Sequence, residues 1–370
     1  MFSELKINSP NDVSFKIKDI DISIINALRR IILSEIPNVG FYFDPNDHDN
    51  TRNSISITTN DSPLHNEFLM HRIGLIPICV SKDEIDNWKN LDYTFKIDIS
   101  NDTGKLLNIT TNDIQVLDSN NKFLSNITKQ YFPSDPITKD HILITKLNKQ
   151  PNSKLEISAK AIIATPQLSA SFGMVSKCAV EFIVDENVAK KELSKLLQDV
   201  SSSEEKDIIT KNFNSLNKER CYHKNKYKEP SFFKMSVVSE CKITSLEIVN
   251  MAFDILLNKF QKLRTEKSFE IHINNDLMIV SIPNETHTVG NLLQSLCFNN
   301  FIRESNDEEN IKLKYIGYNV PHPLEAMLNI KFKGDNIYSI YDAENCFEMF
   351  LDYCISHIQS ILKEWNTFSN

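Results

Sequence analysis

The chain has 370 residues, 41% hydrophobic and 24% charged, with a formal net charge of −8. That length suits two or three domains with cores of their own, and the negative balance leaves no net field to gather nucleic-acid phosphates, so free-standing DNA or RNA binding through counterion release is not expected. With only seven glycines and no GxGxxG, GxxxxGK[ST] or GxSxG, the commonest nucleotide-binding and serine-hydrolase signatures are absent.

Seven cysteines (Cys79, Cys178, Cys221, Cys241, Cys297, Cys346, Cys354) form no CxxC pair, MFSELKINSP has no apolar signal core, and no apolar run reaches the roughly eighteen residues of a membrane span. The expectation is a soluble intracellular protein with reduced, mostly buried thiols.

Residues 2–20 alternate loosely (FSELKI, VSFKIKDI) and read as a strand hairpin. SIINALRRIILSEIP follows, with Ser23 as the expected N-cap and Pro37 as the stop. At about 100° per residue, Ile24, Ile25, Leu28, Ile31 and Ile32 share one arc of roughly 120° and should face a core. Asn26, Arg29, Arg30 and Leu33 take the opposite side, and Glu35 falls inside the apolar arc near the helix end.

VGFYF and SISITT read as strands around the acidic loop DPNDHDNT. Counted from Asp44, Asp49 and Ile55 stand where a calcium loop needs its turn glycine and its glutamate, so a solvated turn is expected. PLHNEFLMHRIGLIPI reads as a short helix ending at Gly74, then an extended segment around Pro77. Its His65 and His71 lie about 240° apart on a helix, whereas a zinc helix places its ligands four residues apart; packed or capping histidines are expected.

From about 79 to 160 the chain is rich in Asn, Asp, Thr and Lys with short β-like runs (YTFKIDIS, LLNITT, HILITKL), a strand-rich insert. CAVEFIVDE restores apolar strand character, and 186–230 holds a helix, KKELSKLLQDV, a Ser/Glu linker and KERCYHKNKYKE. That last run is basic with interleaved aromatics, which could touch nucleic acid, but a solvated loop is the better reading. FFKMSVVSE is a strand, and the helix after it carries a stripe of Leu246, Val249, Phe253, Leu256, Phe260 and Leu263 at alternating spacings of three and four.

After Lys267 the pattern restarts: FEIHINNDLMIVSI reads as a hairpin and THTVGNLLQSLCFNN as a capped helix. Setting Thr288 on Ser23 aligns Val289 with Ile24, Asn291 with Asn26 and Leu293 with Leu28, a shared [ST]-[IV]-x-N-x-L start. Leu292 belongs to the same apolar surface. The closing helix NCFEMFLDYCISHIQSILKEW places Phe347, Phe350, Cys354, Ile358, Ile361 and Trp365 on one side. Each half thus has apolar faces too large for water, and packing the halves about a pseudo-twofold axis would bury them. The fold class is α+β: two related modules (hairpin, capped helix, strands, closing amphipathic helix) as an intramolecular pseudo-heterodimer, plus the strand-rich insert.

SIINALRRIILSEIPNV followed by LHNEFLMHRIGLIPI resembles the third-largest subunit of eukaryotic RNA polymerase II, its archaeal D counterpart and, more distantly, the bacterial α N-terminal domain. THTVGNLLQ with YIGYNVPHPLEAMLNIKF resembles the small partner, archaeal L or the eukaryotic eleventh subunit. Both in one chain look like the fused subunit of nucleocytoplasmic large DNA viruses. The resemblance implies a discontinuous D-like domain over 1–78 and 158–266, an insert over 79–157 and an L-like domain over 267–370.

It further implies a non-catalytic assembly platform of a DNA-directed RNA polymerase transcribing viral genes, located in the virion and the host-cell cytoplasm. Arg29, Arg30, Leu33 and Asn26 become the surface for the second-largest subunit. The largest subunit and small tenth- and twelfth-subunit-like proteins complete the partners, with DNA reached only through the complex. No DxDGD-type carboxylate set for metal-held phosphodiester synthesis is present.

The family insert often holds a cysteine cluster for zinc or iron–sulfur, but Cys79 is the only cysteine before residue 178, so no metal or cofactor is expected in this chain. A tether from about Lys262 to Ser268 should make the chain a compact monomer. The competing readings are a stand-alone DNA-binding transcription factor, disfavoured by net charge, and an enzyme of unrecognised motif, for which no convergent His, Glu and Cys set is evident.

Overall fold

The computed structural model describes residues 1–47, 52–198, 200–304, 312–322 and 324–369. Asp49 of the tested calcium loop lies outside the described residues. In chain order the elements begin with β1 (Phe2–Ser9), β2 (Asp12–Lys18), α1 (Ile22–Ser34), β3 (Asn38–Gly40), β4 (Ile55–Asn60), α2 (Asn66–Gly74), α3 (Lys82–Leu91), β5 (Thr94–Asn101), β6 (Leu107–Thr110), β7 (Gln115–Leu117) and α4 (Ser125–Tyr131). They continue with β8 (Leu143–Leu147), β9 (Ser153–Ala159), β10 (Ile162–Ala164), β11 (Val175–Phe182), α5 (Glu186–Leu197), α6 (Ser203–Asn212), β12 (Phe232–Ser239) and α7 (Ser245–Glu266). The last are β13 (Glu270–Asn274), β14 (Leu277–Pro283), α8 (His287–Phe298), β15 (Leu313–Asn319), β16 (Met327–Gly334) and α9 (Ile340–Ser369).

Two compact units result. One comprises Met1–Ile32, Lys177–Val238 and Ser245–Asn370; the other comprises Leu33–Ser176 with Ser239–Thr244. The first contains two four-stranded sheets of the same construction, ordered β1-β2-β12-β11 and β13-β14-β16-β15. In each, an edge hairpin is followed by a helix, then two strands added in reverse order, then a long closing helix.

Alternation places equivalent apolar ladders on one face of each sheet. In the first, Phe233, Met235 and Val237 oppose Ile17, Phe15 and Val13; in the second, Phe332, Ile330 and Leu328 oppose Met278, Val280 and Ile282. All twelve are buried. The stripe on α7 meets α9: Val249, Phe253, Leu256, Phe260, Phe347, Phe350, Ile358 and Ile361 are all buried. Leu246 differs from expectation: it is only partly covered, and Ile248, fully buried, fills the first turn of the stripe because the helix phase rotates it inward.

At the far end of α9, Trp365 is sealed among Phe2, Phe15 and Phe253, with ring centroids 5.2, 4.6 and 6.2 Å away. Its Nε1 donates to Asn250 Oδ1 at 2.6 Å. The tether is shorter than the sequence suggested, since α7 continues to Glu266 and β13 starts at Glu270. Lys267 between them pairs with Glu344 at 2.7 Å and Glu348 at 2.6 Å.

The second unit holds the sheet β4-β9-β5-β7 and the pairs β10-β3 and β6-β8. It is wider than the stretch from about 79 to 160 set apart by composition, because β4, earlier in the chain, pairs with β9, which pairs in turn with β5. Two helices, α3 and α4, lie within the stretch that the composition suggested as strand-rich. α3 has a complete capping box: Ser81 N donates to Glu84 Oε2 at 2.7 Å and Glu84 N donates back to Ser81 Oγ at 3.4 Å. His65 sits at the N-cap position of α2 without a side-chain cap bond, and His71 lies edge-on to Phe43 at 6.2 Å. The Ser/Glu stretch after α5, expected as a linker, forms α6 in the first unit.

Candidate subunit interface

α1, up to Ile32, and its repeat partner α8 belong to the first unit and are joined by side-chain hydrogen bonds. The helix starts two residues earlier than expected: Asp21 Oδ1 accepts the Ser23 amide at 2.8 Å, so Asp21 supplies the cap, and Ser23 is the second helical residue with its side chain buried. Thr288 is likewise the second residue of α8 and buried, so the residues aligned by the sequence repeat occupy the same helical position.

The core-facing residues Ile24, Ile25, Leu28, Ile31 and Ile32 of α1, and Val289, Leu292 and Leu293 of α8, are buried. A Cβ on Gly290 would come within 2.6 Å of both Tyr318 and Leu328, so α8 lies on its sheet at a separation that admits no side chain there.

Polar contacts join the two helices at both ends. Arg30 Nε donates to Thr288 Oγ1 at 2.8 Å, near the end of α1 and the start of α8. Ser295 Oγ donates to Asp21 Oδ2 at 2.8 Å and Asn299 Nδ2 donates to the same oxygen at 2.8 Å, at the start of α1 and the end of α8. The helices therefore run antiparallel, but the two contacts are not equivalent under the repeat: Arg30, seven residues past Ser23, meets Thr288, whereas Ser295, seven past Thr288, meets Asp21, two residues before Ser23. The outward assignment of Arg30 is thus incomplete, since its guanidinium also ties α1 to α8.

Asn26 and Arg29 lie on the outer side of α1. Together with Ile22 they form one wall of a shallow cavity of about 360 Å³, and Cys178, Ala179, Val180 and Phe182 of β11 form the other. Arg29 Nε reaches Asn26 Oδ1 at 3.4 Å, and among the described residues no carboxylate pairs with Arg29. Burial pushes the neighbouring Cys178 thiol up to about 12, while the Arg29 charge acts the other way. β11 closes one edge of its sheet. Leu33, one turn on from Arg29 along α1, is 38% exposed. A forked cation beside an amide and the apolar side chains of Val180 and Phe182 can receive a carboxylate-bearing chain; it holds no nucleophile–base pair.

Sequence reasoning placed the wheel of α1 but missed Asp21, Ser295 and Asn299. Asp21 was legible as an N-cap one residue ahead of the helix; Ser295 and Asn299 gave no signal, because their role exists only once α8 lies across α1. Among the described residues no three His, Cys, Asp or Glu side chains converge as a metal site, and no helix is long and apolar enough to cross a membrane.

Two sheets of equivalent strand order, each followed by a long amphipathic helix, make a repeated α+β module. The sequence signature of the RNA polymerase Rpb3/Rpb11 dimerisation domain matches residues 14–260, and the chain belongs to that family. It is 26% identical over 179 residues to the DNA-directed RNA polymerases II, IV and V subunit 3 of Arabidopsis thaliana, covering 43% of this chain and 51% of that protein. To the RNA polymerase II subunit RPB3 of Schizosaccharomyces pombe it is 32% identical over 90 residues, 24% of this chain and 27% of the other. To the subunit Rpo3 of Methanobrevibacter smithii it is 29% identical over 83 residues, 22% and 26% respectively. The chain thus spans about half the length of the first of these relatives and less of the others.

Proposed function

We propose that this chain is a non-catalytic assembly subunit of a multi-subunit DNA-directed RNA polymerase, and that it carries both members of the dimerisation pair in one polypeptide. The observation that carries the reading is the antiparallel α1–α8 pair, with polar contacts at both of its ends and equivalent strand orders in the two sheets. In this reading residues 267–370 are an L-like module seated on a D-like module as an intramolecular pseudo-heterodimer, and the chain needs no second copy and no cofactor.

The partners are the second-largest subunit, docking at Asn26, Arg29, Arg30 and Leu33, then the largest subunit and small tenth- and twelfth-subunit-like proteins. DNA is reached only through them. A fused pair is the arrangement of nucleocytoplasmic large DNA viruses, so the reading extends to transcription of viral genes in the host cytoplasm and packaging in the virion. An apolar core shared by the halves replaces the interface that two separate chains would have to find by diffusion, and a three-residue connection raises their effective concentration far above cellular levels.

The test is co-expression with the second-largest polymerase subunit of the same genome, followed by affinity purification of this chain and mass spectrometry. A stoichiometric complex lost on Arg29→Glu is expected. A chain that runs alone beside a folded second-largest subunit overturns the proposal.

A further inference from the structure

Between its third and fourth sheet strands the first module carries residues 183–231, whereas the second passes from Asn319 to Met327. The extra segment ends in the basic, aromatic run that reads in the sequence as a solvated loop. It is not free. A tight turn is built on Asn225: its backbone N donates to Glu229 O at 2.8 Å, and its Oδ1 accepts the amides of Tyr227 at 2.9 Å and Glu229 at 3.0 Å. The base of the turn is anchored to the first sheet's hairpin, where Asp19 N donates to Ser231 O at 2.9 Å.

The tip reaches the end of α8 and the turn after it. Arg303 lies over the Tyr227 ring at 4.3 Å and donates from Nη1 to Glu229 Oε1 at 2.8 Å. Lys226 Nζ stands 2.7 Å from Glu304 Oε1, and Tyr227 OH donates to the same oxygen at 3.1 Å. These contacts hold the Glu304 carboxyl below its usual range, chiefly through Lys226, and the Lys226 ammonium above its own, chiefly through Glu304. Behind the tip is a cavity of about 460 Å³ whose lining includes Asp21, Ser295 and Asn299, the polar end of the α1–α8 pair.

We propose that residues 224–230 are an intramolecular clasp for the C-terminal module, which limits the access of water to the Asp21–Ser295–Asn299 contact. An insertion in one copy of the repeat thereby acts on the other copy, and it does so through charge. Exposed ion pairs are individually weak and salt-screened, but the Arg303 guanidinium stacks on the Tyr227 ring while pairing with Glu229, and it is steadied from its own side by Asn299 Oδ1 at 3.0 Å and the Phe298 ring at 5.0 Å. The clasp should therefore open with salt well before the apolar core loosens.

The test is amide hydrogen exchange by mass spectrometry on the full-length chain, wild type and Arg303→Ala, at about 0.05 M and 1 M NaCl. In the variant, exchange over 224–231 and over 293–304 should rise together by about five- to tenfold, the size of one stacked, ion-paired contact. In the wild type, high salt should reproduce most of that rise, and in the variant it should add little. Tyr227→Leu, which keeps an apolar side chain but removes ring and hydroxyl, should give the same two-segment pattern. Faster exchange confined to one of the two segments, equal salt response in both proteins, or an unchanged Tyr227→Leu profile would overturn the clasp.

Discussion

Trp365 is the most informative single residue to remove. Its ring is fully buried, touches Phe2 and Phe15 of the first module and Phe253 of α7, and donates to Asn250. Truncating a buried Trp to Ala costs about 3–5 kcal/mol through lost transfer energy and the residual cavity. Loss of the only donor to Asn250 Oδ1 among the described residues adds about 1 kcal/mol, the lower end of the range because Asn250 is only partly buried and water can reach it. Trp365→Ala should thus cost about 4–6 kcal/mol, a large part of the 5–15 kcal/mol typical of a whole domain. Trp365→Phe, which keeps a ring but loses the donor, should cost about 1–2 kcal/mol. Urea titration followed by circular dichroism measures both, and the other tryptophan, Trp88, reports independently on the second unit by fluorescence. If Trp365→Ala costs less than about 1.5 kcal/mol, or no more than Trp365→Phe, the end of α9 is not part of the first module's core and the two halves do not share one.

Arg29→Glu should leave the urea midpoint nearly unchanged, because no carboxylate among the described residues pairs with Arg29, while abolishing capture of the second-largest subunit in the co-purification. Arg30→Glu should reduce capture and also cost about 1 kcal/mol of stability, since it removes the bond to Thr288; equal midpoints for the two variants would refute the α1–α8 contact. Burial holds the Cys178 and Cys346 thiols at about 12 in the folded chain, against about 8.5–9 when unfolded. Above the unfolded value the unfolded chain has released protons that the folded chain still binds, so stability should fall as pH rises from about 9 to 12, by about 1.4 kcal/mol per unit per thiol; Cys178→Ala with Cys346→Ala should make the decline in urea titrations shallower, the buried Cys297 thiol, also raised, keeping its own share. In the second unit Glu84 caps α3 and accepts Tyr131 OH at 3.1 Å, so Glu84→Ala should lower that unit's stability by about 2 kcal/mol, read from Trp88 fluorescence, and an unchanged Trp88 transition would refute the role of the cap.

Much of the architecture was legible because local and tertiary demands agree. The arc of Ile24, Leu28 and Ile31 and the stripe of Val249, Phe253, Leu256 and Phe260 are periodic, and periodicity survives any choice of partner. Long-range polar pairing leaves no such trace. The bond between Arg30 and Thr288 joins side chains 258 positions apart, and nothing local to either residue announces it. The run around Tyr227 illustrates the same limit: lysines with interleaved aromatics look alike whether they meet a phosphate or, as here, the Arg303 and Glu304 side chains of the same chain. α3 was missed for another reason, since a ten-residue helix among strands is too short for its period to stand out, although Ser81 and Glu84 already spelled its capping box.

The meeting of Phe2 with Trp365 has a temporal consequence. These rings lie 363 positions apart in the sequence, so at ribosomal rates of about 5–20 residues per second the first strand waits roughly 20–70 s for the helix that covers it. Through that interval the nascent hairpin can pair with β12 and meet α7, but the part of β1 that α9 covers, with Phe2, stays open to water. Production of this polypeptide should accordingly depend on holdase chaperones, and slowed translation should yield more aggregate rather than less.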